Sequence, residues 1–183
     1  IGGFAGMNQG LSAVITRSYS TGTVSGTSDL GGLVGDDGVS TGTTNDCFWD
    51  MQTSGRAASD GGTGKNTSEM KDFFTFYDAE WDLICESDNG TDDIWGIDYS
   101  GAGNNGYPFL WWQGLTHNVS FTLTYTAGPN GAINGTSPQV VNCGGNGSVV
   151  QAVPDACYVF VNWSDSIADN PRTDTDIFGN ITV

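Results

Sequence analysis

Lysine and arginine are nearly missing from this chain: there are five among 183 residues, against 21 aspartates and glutamates, for a formal net charge of −16. A surface of that sign attracts neither polyanions nor anionic lipid, which excludes nucleic acid as a partner. Histidine is reduced to His117, in the stretch Gly114-Leu-Thr-His-Asn118. A serine-histidine-aspartate arrangement would depend on that one residue, with no nucleophile motif beside it. No apolar run approaches the roughly 18 residues a membrane-crossing helix needs, so no direct membrane insertion is expected. The opening Ile1-Gly-Gly-Phe4 has neither an initiator Met nor the charged and apolar regions of a signal peptide. It reads as part of a longer precursor whose targeting signals lie outside this stretch.

Cys-x-x-Cys pairs and histidine clusters are also absent, so the four cysteines point to disulfides rather than zinc. The expected pairing is local, Cys47 with Cys85 and Cys143 with Cys157. Closing the second loop would contribute about 3 kcal/mol. Buried free thiols are the alternative. The acidity leaves room for Ca²⁺ at Asp36 with Asp37, or at Asp88 with Asp92 and Asp93, although a solvated acidic face explains the same clusters. No spacing reproduces the alternating Asp/Asn loop with a late Glu, so no metal ligand is assigned and no cofactor is expected.

What is present in quantity is glycine, 28 residues, and a set of six Trp, nine Phe and six Tyr within a 37% hydrophobic composition. Such a chain can bury a core and fold as one or two domains. Ile1-Gly-Gly-Phe-Ala-Gly6 recurs as Leu30-Gly-Gly-Leu-Val-Gly35, 29 residues on, and at the same offset Ser18-Tyr19 falls on Cys47-Phe48. Two copies of a unit made of short apolar runs broken by Gly, Thr and Ser predict stacked rungs of a short parallel β-helix. Ala13 to Ile15 and Ser18 to Val24 read as its strands, with glycines supplying positive φ at the corners.

The Gly-Gly-Leu-Val-Gly core resembles the GLUG repeat of bacterial surface and adhesin proteins. The stretch Cys47-Phe-Trp-Asp-Met-Gln-Thr-Ser-Gly55 followed by Gly61-Gly-Thr-Gly-Lys65 is similar to the segment that closes such arrays. This resemblance covers about residues 1–113. It implies a secreted β-helical stalk or adhesin arm without enzymatic activity.

One helix is expected over 66–77, where Asn66 and Glu69 can form a capping box. Met70, Phe73, Phe74 and Tyr77 then share one face as a cap on the last rung. Two or three strands follow in the stretch from Trp81 to Trp112. If Trp111 and Trp112 lie in a strand they point to opposite sides, and one can be exposed to stack on a sugar ring.

From Asn118 the pattern changes to alternation, with Val119, Phe121, Leu123 and Tyr125 on one face, the signature of a half-buried antiparallel strand. Further strands are expected at 131–134, 139–143, 148–153 and 158–163. The series Phe121-Thr-Leu-Thr-Tyr125, Tyr158-Val-Phe-Val-Asn-Trp-Ser-Asp165 and Asn170-Pro-Arg172 resembles the divergent internalin B-type repeat of bacterial cell-wall proteins, which implies a spacer module over 118–183. The family pattern continues through a final strand where this chain stops at Asn180-Ile-Thr-Val183, and a module lacking that strand is expected to leave an edge open to a partner. The chain is therefore expected to be all-β: rungs with a helical cap over 1–114, and a small antiparallel module over 115–183.

Gly101-Ala-Gly-Asn-Asn-Gly106 matches a dinucleotide fingerprint, but Tyr107-Pro108 follows it instead of a helix, and Gly64-Lys65 lacks the rest of a phosphate loop. No catalytic or cofactor-binding residue is assigned. Asn-x-Ser/Thr sequons stand at Asn66, Asn89, Asn118, Asn134, Asn146, Asn162 and Asn180. The expectation is an extracellular, cell-surface structural or adhesive element. Its partners would be copies of itself, joined end to end as a filament, or neighbouring modules of the same polypeptide. The alternative is a carbohydrate-binding accessory module that meets surface glycans through Trp111, Trp112 and Trp163.

Overall fold

The computed structural model describes every residue except Asp37, Val39, Ser40, Thr41 and Ser87. The chain divides into two compact units, Ile1–Thr116 and His117–Val183. Its elements are mostly short strands in two- and three-stranded sheets, with a few helical turns.

In the first unit, β1 (Ala5–Met7), β2 (Val14–Thr16) and β3 (Tyr19–Ser20) are each answered by a parallel strand: β4 (Val34–Asp36), β5 (Thr43–Asn45) and β6 (Phe48–Asp50). Ala5 pairs with Val34, Ile15 with Thr44 and Tyr19 with Phe48, and the bridge from Gly2 to Gly31 keeps the same spacing. Every one of these pairs is 29 residues apart, so the two hexapeptides lie strand on strand. After helix α1 (Met51–Ser54) the spacing shortens: β7 (Thr63–Lys65) pairs in parallel with β6 through Phe48 with Thr63. The far side of β4 is covered by residues 58–60. Gly32 donates to the Ala58 carbonyl, Asp60 donates to the Val34 carbonyl, and the Ser59 hydroxyl accepts from the Leu33 and Val34 amides.

The hexapeptide glycines are required by space, not by φ as their sequence context suggested, for none of them adopts positive φ. A Cβ on Gly32 would overlap the Trp49 ring, and one on Gly31 would run into the Val34 carbonyl. That clearance lets Leu33, Val34, Cys47 and Trp49 close into a core, with Ile15 and Met51 packed against it.

The expected helix over 66–77 forms in two pieces. The capping box is present: the Asn66 amide donates to Glu69 Oε2 at 2.8 Å, and the Glu69 amide donates to Asn66 Oδ1 at 2.9 Å. It starts only a 3₁₀ turn, Glu69–Lys71, because Asp72 is extended and its carboxylate caps a second helix, α2 (Phe73–Tyr77). The break rotates the face, so Met70, Phe73 and Phe76 are buried while Phe74 and Tyr77 are only half-buried. Phe76 meets Phe48 and Trp81 edge to face, at 5.5 and 4.8 Å between centroids. Trp81 donates its indole N–H to the Asp46 carbonyl. The unit ends with an antiparallel pair, β8 (Trp95–Gly96) and β9 (Phe109–Leu110).

The second unit starts with β10 (Ser120–Thr124). Its inward residues Phe121 and Leu123, with flanking Val119 and Tyr125, are all buried, as the alternation predicts. Strand β11 (Gly131–Asn134) pairs antiparallel with β13 (Gln151–Pro154), and β12 (Gln139–Asn142) pairs antiparallel with β10. The last strand, β14 (Ile181–Thr182), lies on the other side of β10 and runs parallel to it, through Leu123 with Ile181.

Candidate functional site

Arg172 organises the second unit's core. It is 4% exposed, and its guanidinium closes on Asp174, with Nε to Oδ2 at 2.8 Å and Nη2 to Oδ1 at 2.6 Å. Nη1 forms an ion pair with Asp165 Oδ2 at 2.7 Å. Tyr125 and Trp163 lie 5.9 and 5.7 Å from the cation. Tyr125 donates its hydroxyl to Asp174, and the Trp163 indole donates to the Asp169 carbonyl. Burial would raise the Asp174 pKa, but the hydrogen bonds from Arg172 and Tyr125 outweigh it and hold the carboxylate below its ordinary value. In this structural network Nε and Nη2 are hydrogen-bonded to Asp174 while Nη1 has the Asp165 ion pair but no hydrogen bond of good geometry, and the network holds the run 158–163 in place by fixing Trp163.

That run contains the chief departure from the expected strands. Residues 158–163 form no ladder with the described residues: Tyr158 and Trp163 donate only to local turn carbonyls, and none of the amides between them has a backbone partner there. Val159 is 81% and Val161 73% exposed. Between this run and the β11–β13 pair lies a cleft of about 410 Å³, lined among others by Ile133, Val153, Phe160 and Val183. No Asp, Glu, Lys or Arg side chain among the described residues lines it.

The three tryptophans considered for an aromatic platform differ in exposure. Trp111 and Trp112 sit in a 3₁₀ turn, Trp111–Gln113, rather than a strand, because the chain reverses at Gly114 in the left-handed region. Trp112 is 78% exposed, Trp111 is half-buried, and Trp163 is 5% exposed within the Arg172 network.

The local disulfide pairings are not the ones formed. Cys85 and Cys143 are disulfide-bonded, whereas Cys47 and Cys157 are free thiols. Cys47 is committed to the core between the two 29-residue copies and donates its thiol to the Asn45 carbonyl. Burial pushes its pKa up. Cys157 stands exposed at a turn with positive φ.

The described acids of the cluster at 88–93 have local partners. Asp82 accepts from the amides of Asp92 and Asp93, and Asp88 accepts from the Tyr77 hydroxyl. Among the described residues no three His, Cys, Asp or Glu side chains converge on a metal position. The pair Asp36 and Asp37 lies partly outside the described residues. Asp98 and Asp50 are buried, and in each case desolvation would raise the pKa but hydrogen bonds prevail and lower it. Ser100 and the Gly103 amide serve Asp98, and Tyr107, Thr67 and the α1 amides serve Asp50.

Among the sequons, Asn118, Asn134, Asn146 and Asn180 are exposed and Asn66 is half-buried in its cap. The side-chain amide nitrogens of Asn89 and Asn162 are tied to the Tyr77 and Trp163 carbonyls. His117 is half-buried at the first residue of the second unit.

Residues 121–183 match the family model of the divergent InlB B-repeat domain. The Arg172 network and the unpaired run both lie within this matched segment. A protein of Evansella cellulosilytica named as a Gly-rich membrane protein is 37% identical over 131 residues, covering 69% of this chain. The chain spans 13% of that relative's length. No solved structure matches the chain. No helix among the described residues is long and apolar enough to cross a membrane.

Proposed function

We propose that the chain is a structural segment of a secreted microbial cell-surface protein, in which GLUG-type β-solenoid rungs lead into an InlB B-type spacer module. The observation that carries this reading is the constant 29-residue parallel register shared by all three strand pairs of the first two copies. Stacking of this kind extends a chain along an axis and builds its interior from apolar residues rather than from converging reactive groups. The InlB B-repeat match and the membrane-protein name of the relative support a place at the cell surface. Antibody against the chain should label intact, unpermeabilised cells of the source organism, and surface protease should abolish the label. Labelling that needed permeabilisation would overturn the assignment.

The unpaired run at 159–162 favours a second reading within the same class, a filament subunit whose copies join by strand pairing at this edge. Sedimentation over a wide concentration range should then give species that grow with concentration. A constant monomer would refute it. A carbohydrate-binding role keeps support from Trp112 alone. Glycan-array binding lost in Trp112→Ala would establish it, and an array without signal would remove it.

A further inference from the structure

The first copy of the 29-residue unit has an uncovered edge. Ile1, Phe4, Met7, Leu11 and Val14 are all more than half exposed, whereas Leu33 and Val34, the partners of Phe4 and Ala5 one copy later, are fully buried. The sharper observation is Gly6, the middle residue of β1. Its φ lies outside the left-handed region, and a Cβ added there meets nothing within 4 Å. Its equivalent, Gly35, is buried, and a Cβ on it would sit 2.5 Å from the Ile1 carbonyl carbon and 2.6 Å from the Asp29 oxygen. Gly35 is therefore glycine because the backbone of the preceding copy passes against it. A glycine inside a strand costs about 0.5–1 kcal/mol relative to alanine, and nothing around Gly6 calls for that cost.

We propose that this edge is the docking face for another 29-residue unit of the same kind, carried on the same polypeptide and paired in the same parallel register. Its backbone passes over Gly6 as Ile1 and Asp29 pass over Gly35. The proposal rests on the solenoid reading above and names the partner of its open edge. The face continues an interface already formed between the two copies. It also suits a neutral partner, since Arg17 is the one charged side chain before Asp29 in a chain of net charge −16. A second molecule fits less well. Two such edges facing each other across a two-fold axis run antiparallel, and the opposite end of the stack is occupied by residues 58–60 and β7.

The test compares the 183-residue chain with an extended chain carrying a duplicate of residues 1–29 ahead of Ile1. The duplicate joins as Asp29 joins Leu30. Amide exchange of residues 1–7 should slow at least tenfold in the extended chain. Gly6→Ala should leave the urea midpoint of the 183-residue chain unchanged or raised, and should lower it in the extended chain. Gly35→Ala should lower it in both. Equal effects of Gly6→Ala in the two chains, or unchanged exchange at residues 1–7, would overturn the proposal. So would exchange protection that rises with concentration in the 183-residue chain, which would assign the face to a second molecule. The cell-labelling experiment stands apart from these readouts, so failure of the surface assignment would leave the rung-docking result intact.

Discussion

Removing the Arg172 guanidinium tests what holds the second unit together. Arg172→Met keeps the length and apolar stem but leaves Asp174, 12% exposed and paired through three short contacts, without a cation. Breaking a fully buried pair by deleting one partner costs about 3–5 kcal/mol. The partial exposure of Asp174 and the 33% exposure of Asp165 reduce this, because water re-solvates part of the freed charge, and about 2–3 kcal/mol is the expected loss. A unit of this size has a total stability of roughly 3–10 kcal/mol, so the variant should sit close to its unfolding threshold. The assay is urea denaturation followed by amide exchange at Phe121, Leu123 and Val141, which report the β10–β12 ladder without interference from the first unit's tryptophans. Arg172→Met/Asp174→Asn should recover part of the loss, since the orphaned charge is gone. A loss under about 0.5 kcal/mol in the single variant would refute the reasoning and leave apolar packing as the main support of this unit.

Four further outcomes are expected from the same geometry. Under native, non-reducing conditions a thiol reagent should modify Cys157 alone, should reach Cys47 once the chain is unfolded, and should reach Cys85 and Cys143 only after reduction. Mass spectrometry of the labelled peptides checks this order. Asp174, Asp98 and Asp50 all titrate below their ordinary values when folded, so their contribution is fully present above pH ~4 and is lost as pH falls through the lowered values. Acid denaturation of Asp98→Asn should accordingly show a shallower pH slope. Tyr107, which donates to Asp50, is pushed up to about 12 by burial and by that carboxylate; its contribution should persist at neutral pH and fade above pH ~10, read by ultraviolet titration against Tyr107→Phe. Leu33→Ala should cost about 2–5 kcal/mol by thermal or urea unfolding, because Leu33 is fully buried at the centre of the first unit's core.

Periodicity was the most legible feature of this chain. A 29-residue offset and a period-two alternation at Val119 to Tyr125 are both properties of residue order, and both reappear as strand register and burial. Features set by one residue's competition with its neighbours were not legible. Asp72 satisfies a helix start of its own and so breaks the helix that Asn66 and Glu69 begin. Cys47 is claimed by the core between two copies before it can reach another cysteine. Trp163 and Trp112 have the same side chain and opposite fates. One is held by Arg172 from nine residues further along, while the other is turned outward by a reversal at Gly114. Arg172 itself was visible only as part of Asn170-Pro-Arg172. A lone cation within an acidic segment would have flagged it, since a chain of net charge −16 can bury an arginine readily when two aspartates flank it.

The placement of charge bears on how such a chain can extend. Between Asp98 and Asp155 there is no Asp, Glu, Lys or Arg, and before Asp29 there is only Arg17. Neither β1 nor the run Val159 to Asn162 thus carries an acid of its own, although Asp36 stands opposite Met7 and Asp155 and Asp165 flank the run. Like charges across an approaching backbone would oppose pairing, and their absence at these two places leaves the outcome to the hydrogen-bonding groups and the apolar side chains. Elsewhere the same negative charge discourages unspecific association of neighbouring molecules. Placing an aspartate in the exposed run, as Val161→Asp, should therefore suppress pairing there while leaving the fold of the 183-residue chain unchanged, because that side chain already stands in solvent, whereas Met7→Asp would set a second acid opposite Asp36 and loosen the β1–β4 pair as well.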